Sequence, residues 1–222
     1  MSMHALPRSA AAPAMTSFYP PMADMFGDMG VSIAYASDEE IYAQGEETDL
    51  VYQVQSGAVR ASRLTSDGRR QIAGFYYPGD LFGLETGPAH LSSAEALGPT
   101  RVLVARRSTM RHRGEAGHGL ERAIWQATGS ELERAHEHMM LLARKSALEK
   151  VAGFLSDVAK RQRSVWSELA MSRQDIADHL GLSIETVSRM FSQLQSEGLI
   201  ALEGCRRFRV ASPARLAARA AP

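Results

Sequence analysis

The sequence predicts an α+β chain: an N-terminal antiparallel β-roll, a long dimerisation helix and a C-terminal winged helix-turn-helix. Three observations predict it. Short apolar runs broken by glycines fill residues 31 to 107, an apolar stripe at alternating spacings of three and four follows, and two cappable helices then flank Gly181 ahead of an arginine-rich hairpin.

Residues 1-30 are rich in Ala, Pro, Met and Ser without sustained periodicity, which reads as a flexible arm that cannot fill a core. Residues 31-115 form the expected β-roll, a regulatory domain. Runs such as Val51-Tyr52-Gln53-Val54, Val59-Arg60-Ala61 and Arg101-Val102-Leu103-Val104 have strand length and composition. Asp67-Gly68 suits a hairpin turn because both residue types tolerate positive φ, and Pro78-Gly79-Asp80 is a second turn.

Residues 116-145 form the expected dimerisation helix. Trp125, Thr128, Leu132, Ala135, Met139 and Leu142 recur as one stripe, the pattern of a two-helix seam. A helix covering its own barrel is the alternative, and Ile124 and Leu141, off the stripe, suit that task at the same time.

Residues 146-222 form the winged helix-turn-helix. A helix from Ser146 to Arg161 carries a broad apolar face, and Lys160, Arg161 and Arg163 complement the dipole at its end. Ser172, with Asp175 three residues on, can cap one short helix and Ser183 the next; Gly181 between them permits a sharp left-handed turn. Ile176, Ala177, Leu180, Leu182, Val187, Met190, Phe191 and Leu194 supply a shared core, which is the helix-turn-helix pattern. Ile184, Glu185, Ser188, Arg189 and Ser192 are left facing outward. Arg189 can fork to guanine, Glu185 can accept from cytosine, and Ser188 can meet a base edge, so these three are the candidate base readers. Glu185 and Arg189, four apart, also suit a surface ion pair. Ser172, Arg173, Ser183 and Thr186, with Arg206 and Arg207 of the hairpin, are candidate phosphate contacts; Arg209 lies on the same strand.

Charge separates the halves. Residues 1 to 143 hold 12 Lys/Arg against 17 Asp/Glu, and residues 144 to 222 hold 13 against 8, so an overall charge of zero hides an acidic half and a basic half. Phosphate neutralisation needs the basic one. Cys205, the single cysteine, excludes an intrachain disulfide framework or a four-cysteine metal site and fits a reducing cytoplasm. No apolar run is long enough to span a bilayer, so no membrane role is expected, and the prolines of the arm interrupt any signal-peptide core. The barrel offers no nucleophile, metal or phosphate-loop constellation, which argues against an enzyme.

The blocks Asp49 to Gly57, Pro78-Gly79-Asp80-Leu81-Phe82-Gly83, the stripe helix, and Arg173-Gln174-Asp175-Ile176-Ala177 through Glu185-Thr186-Val187-Ser188-Arg189 resemble the Crp/Fnr superfamily of bacterial regulators, with the cyclic-nucleotide-binding jelly roll as N-terminal domain. The Glu-x-x-Ser-Arg arrangement is similar to the Fnr and FixK branch. That resemblance implies a cytoplasmic homodimeric transcription activator, inverted repeats of TTGA-type half-sites read by Glu185, Ser188 and Arg189, RNA polymerase as partner, and genes of microaerobic or anaerobic respiration or nitrogen fixation. Departures are informative. The arm and barrel hold no cysteine, so an Fnr-type iron–sulfur cluster is excluded. Cyclic-nucleotide-binding relatives use a Gly-Glu-Leu loop and a later Arg-Ser or Arg-Thr pair. Here the loop is Gly79-Asp80-Leu81 and the later stretch Leu91-Ser92-Ser93-Ala94-Glu95, which fits an anion poorly. No cofactor is therefore expected. An effector-gated sensor, holding haem through His90, His112, His118, His136 or His138 or another ligand in the roll, is the alternative. Cys205, in the expected wing turn, is a candidate redox position.

Overall fold

A computed structural model describes residues 30–110, 114–144 and 146–220. The arm up to residue 29 and His112 lie outside the described residues. The N-terminal half is a β-roll of two four-stranded antiparallel sheets. One runs β1-β8-β3-β6, built from β1 (Val31–Tyr35), β3 (Leu50–Ser56), β6 (Leu81–Phe82) and β8 (Thr100–Arg106). The other runs β2-β7-β4-β5, from β2 (Glu40–Tyr42), β4 (Val59–Leu64), β5 (Arg70–Tyr76) and β7 (Ser93–Ala96). Alternating side chains enter the space between the sheets, as the two-residue period of a strand requires. Tyr42, Tyr52, Val54, Val59, Phe82, Ala94 and Val102 fill it, with Tyr42 stacked on His90 at 3.7 Å between ring centroids. β4 and β5 form the hairpin whose turn carries Asp67-Gly68.

A short helix α1 (Arg107–Met110) leads to α2 (Gly114–Arg144). Two faces of α2 do different work. Leu120 and Ala123 are buried against Val51, Leu81, Leu84, Leu103 and Ala105 of the roll, and the Tyr76 hydroxyl donates to Glu131 at 3.1 Å. On the stripe, Trp125 is 78% exposed, Leu132 59% and Met139 57%, far more than isolated apolar residues of a finished surface need to be. Ala135 is also exposed; Thr128 and Leu142 are half-buried, Thr128 donating to Ile124 O and Leu142 lying beside Gly181.

α3 (Ala147–Gln162) starts at a capping box formed by Ser146 and Glu149. β9 (Ser167–Glu168), α4 (Arg173–Leu180), α5 (Ile184–Ser196), β10 (Ile200–Glu203), β11 (Arg207–Val210) and α6 (Pro213–Ala220) complete the C-terminal half, with the strands paired β10-β11-β9 and α6 packed on α3. Val151, Leu155, Ile176, Leu180, Val187, Phe191, Leu194, Phe208 and Leu216 form its core. That core does not stop at the domain junction: Ala58 and Tyr77 of the roll belong to it, and Phe75 and Leu97 pack on it.

Candidate nucleic-acid interface

The site grows from two helix starts. Ser172 is the N-cap of α4: its hydroxyl oxygen accepts from Asp175 N at 3.1 Å, and Asp175 Oδ2 accepts in return from Ser172 N at 2.9 Å and Ser172 Oγ at 2.7 Å. α4 ends at Gly181, whose φ of 62° is the left-handed conformation that turns the chain within one residue. Lys150 Nζ donates to Leu180 O at 3.3 Å, placing a cation at the negative end of α4. Ser183 then caps α5, accepting from Thr186 N at 3.2 Å.

α5 is sharply two-faced. Val187, Met190, Phe191 and Leu194 are buried, whereas Ile184, Glu185, Ser188, Arg189 and Ser192 are exposed. Glu185 is held below the ordinary carboxylate range, first by its own backbone N–H at the helix start and then by the Ser183 hydroxyl. It is therefore ionised at neutral pH and acts only as an acceptor.

The other candidates surround α5 in different states. Arg173 lays its guanidinium over the Phe191 ring, 3.1 Å from its centroid, and its Nη1 is buried with no hydrogen-bond partner. Burial lowers it to about 10, still charged at neutral pH, with Cys205 acting in the opposite sense. In the wing, Arg206 is tied back to Ala170 O at 3.0 Å, and Arg207 pairs with Glu203. Arg207 and Arg209 sit over the Trp166 ring at 5.5 and 5.6 Å, a platform that the charge pattern of the sequence did not disclose. Cys205 is exposed in the turn between β10 and β11. Among the described residues no group of three metal-ligating side chains comes together. His118 and His136 are exposed, and His138 stacks on His179 at 4.2 Å.

Residues 149–219 match the model of the Crp-like helix-turn-helix domain, and residues 32–113 match that of the cyclic nucleotide-binding domain. The chain is 43% identical to the nitrogen fixation regulation protein FixK of Azorhizobium caulinodans over 83% of its own length and 77% of the relative's. It belongs to the FixK-like branch of the Crp/Fnr family. The FixK of Rhizobium meliloti is likewise 43% identical, over 81% of this chain and 82% of that protein. The solved structure of FixK2 from Bradyrhizobium japonicum superposes with a TM-score of 0.82 at 43% identity, covering 87% of this chain and 98% of the other. This Crp/Fnr-family chain is thus a transcription regulator that binds DNA through its helix-turn-helix. No helix among its described residues is long and apolar enough to cross a membrane.

Two departures from the effector loop of the family have structural occupations in this FixK-like chain. Asp80 is 4% exposed and accepts from Tyr77 N at 3.0 Å and from Arg161 at 3.1 Å. Glu95 holds Arg60 at 2.8 Å. Both acids bind the protein's own cations.

Proposed function

We propose that this regulator acts as a cytoplasmic homodimer that reads an inverted repeat of TTGA-type half-sites and activates transcription of microaerobic, anaerobic or nitrogen-fixation genes through RNA polymerase. The observation that carries this reading is the exposed face of α5, where Glu185, Ser188 and Arg189 stand together opposite the buried face. The exposed ridge of Trp125, Leu132 and Met139 supports the second chain, because apolar side chains this open gain from burial against a copy of themselves. In such a dimer two recognition helices enter successive major grooves about 34 Å apart, and the operator shares the two-fold symmetry. Ser172, Arg173, Ser183 and Thr186, at the starts of α4 and α5, contact phosphate, as do Arg206 and Arg207 of the wing once they leave their present partners. The relatives named FixK regulate nitrogen fixation, and the gene class assigned to this chain rests on them.

A contrast of two substitutions tests the base-reading assignment. Arg189→Ala is expected to cost about 1 to 3 kcal/mol per half-site and to erase the preference for guanine there, while Arg206→Ala weakens every duplex alike. Titrations on matched and guanine-substituted duplexes at fixed salt separate the two, and an Arg189→Ala protein that kept its guanine preference would contradict the assignment.

A further inference from the structure

The roll and the first helix of the helix-turn-helix are joined by ion pairs that go beyond the Ser172–Asp175 cap, which uses only Oδ2 of that carboxylate. Arg70 of β5 reaches Asp175 at 2.8 Å and Asp178 at 2.7 Å, both on α4. Arg60 of β4 reaches the same Asp175 at 3.3 Å while gripping Glu95 of β7 at 2.5 Å and Asp38 at 3.2 Å. The Asp175 side chain is 3% exposed, Arg60 12% and Asp178 14%, while Arg70 keeps 28% and Asp38 67%, so the group is dry around Asp175 and open at its rim. Beside it, Gln71 Nε2 donates to His179 O at 3.4 Å, and His179 Nδ1 lies 3.1 Å from Ile72 O. A second strut joins the same two halves where Arg161, at the end of α3, meets Asp80 in the turn before β6.

We infer that the Arg60–Asp175–Arg70–Asp178 clasp is a positioning device that fixes the angle of the reading head to the dimerisation helix, and with it the half-site spacing the protein accepts. The clasp rests on the reading of the protein as a dimer on a palindrome. α5 packs on α4, α4 is clasped to β4 and β5, and β5 is tied to α2 through Tyr76 and Glu131. The ion pairs and the Tyr76 hydrogen bond are directional, so the orientation passes from the seam to the recognition helix through the protein's own side chains. Burying ion pairs returns little net stability, because desolvation offsets the attraction, but the geometry they demand selects one arrangement over its neighbours. An apolar patch alone tolerates sliding; two arginines sharing one carboxylate do not.

Three duplexes test it: a single half-site, the palindrome, and the palindrome with one base pair inserted between its halves. The proteins are wild type, Arg70→Gln, Arg70→Lys and the milder Asp178→Asn, which leaves Asp175 paired if Arg70→Gln fails to fold. Wild type is expected to prefer the palindrome over the inserted version. Asp178→Asn and Arg70→Gln should lose about tenfold on the palindrome and keep the half-site affinity and its guanine preference, so that the spacing preference shrinks, and Arg70→Lys, which keeps the charge but not the fork that bridges both carboxylates, should lose part of it. An equal loss on all three duplexes would mean the clasp only holds the fold together, and undiminished spacing preference would mean it positions nothing; either overturns the inference. A wild-type protein that reads the half-site but ignores the palindrome would defeat the dimer reading itself and the clasp with it.

Discussion

His179 and Asp175 lie on one helix, and both lose stability as the pH falls, each in its own window. Burial, together with the neighbouring His138, lowers His179 from 6.5 to about 4, so the folded chain keeps a neutral imidazole against Phe75 and Phe154. The unfolded chain takes up that proton below about pH 6.5, the ordinary value. Stability is therefore complete above pH 6.5, falls as the pH drops toward 4, and loses no more from this residue below that, a change of at most about 3 kcal/mol. Urea unfolding at pH 7.5 and pH 5 is expected to show the loss, and His179→Gln to reduce it. Equal slopes in the two proteins would refute the assignment. For Asp175, burial works against the charge but the bonds from Ser172 and the guanidiniums of Arg60 and Arg70 outweigh it, and its pKa is lowered. Its contribution is present at neutral pH and lost only as the pH falls through that depressed value. The Ser172 to Asp175 cap is legible in sequence because the partners are three residues apart. Arg60 and Arg70 are not, standing 115 and 105 residues from the same carboxylate, beyond any local pattern.

Periodicity carries most of the element scale. The spacing of Trp125, Leu132 and Met139 announces a ridge on a helix, and the structure leaves that ridge open. Ile124, off the stripe, points to packing on the roll and lies against that cluster, but the spacing does not announce Leu120 and Ala123 beside it, because two buried residues one turn apart look like any helix start. The two short helices around Gly181 were legible for a different reason: caps, a left-handed turn and small Ala177 are local requirements. What stays hidden in the C-terminal half is the state of each cation, such as Arg173 over Phe191 and Arg207 on Trp166, since no local spacing pattern sets which ring a guanidinium meets. At this scale Leu132→Asp is the decisive change. Setting a charge into the seam on both chains should shift the protein to monomer in sedimentation and abolish the advantage of a palindrome over a half-site. A dimer that persisted with unchanged affinity would place the subunit contact elsewhere.

Across the whole molecule, the acidic half and the basic half divide the work. Only the C-terminal half carries a positive excess, and the exposed polar face of α5 belongs to it. The β-roll, alternating short strands between glycine turns, was expected from composition and is present as two packed sheets. Its sharing of a core with the C-terminal half was not expected, because Phe75 and Tyr77 look like ordinary strand residues until the helices are placed on them. That shared core and the ionic struts make the reading head part of one connected body. The most direct test is a salt-controlled titration of the purified wild-type protein, with no effector added, on a TTGA-type palindrome and on the same duplex with both guanines replaced. The proposed function predicts strong preference for the intact palindrome, with affinity falling steeply as salt rises. Equal, weak binding to both duplexes would contradict a competent reading head and return attention to the β-roll as the seat of a missing signal.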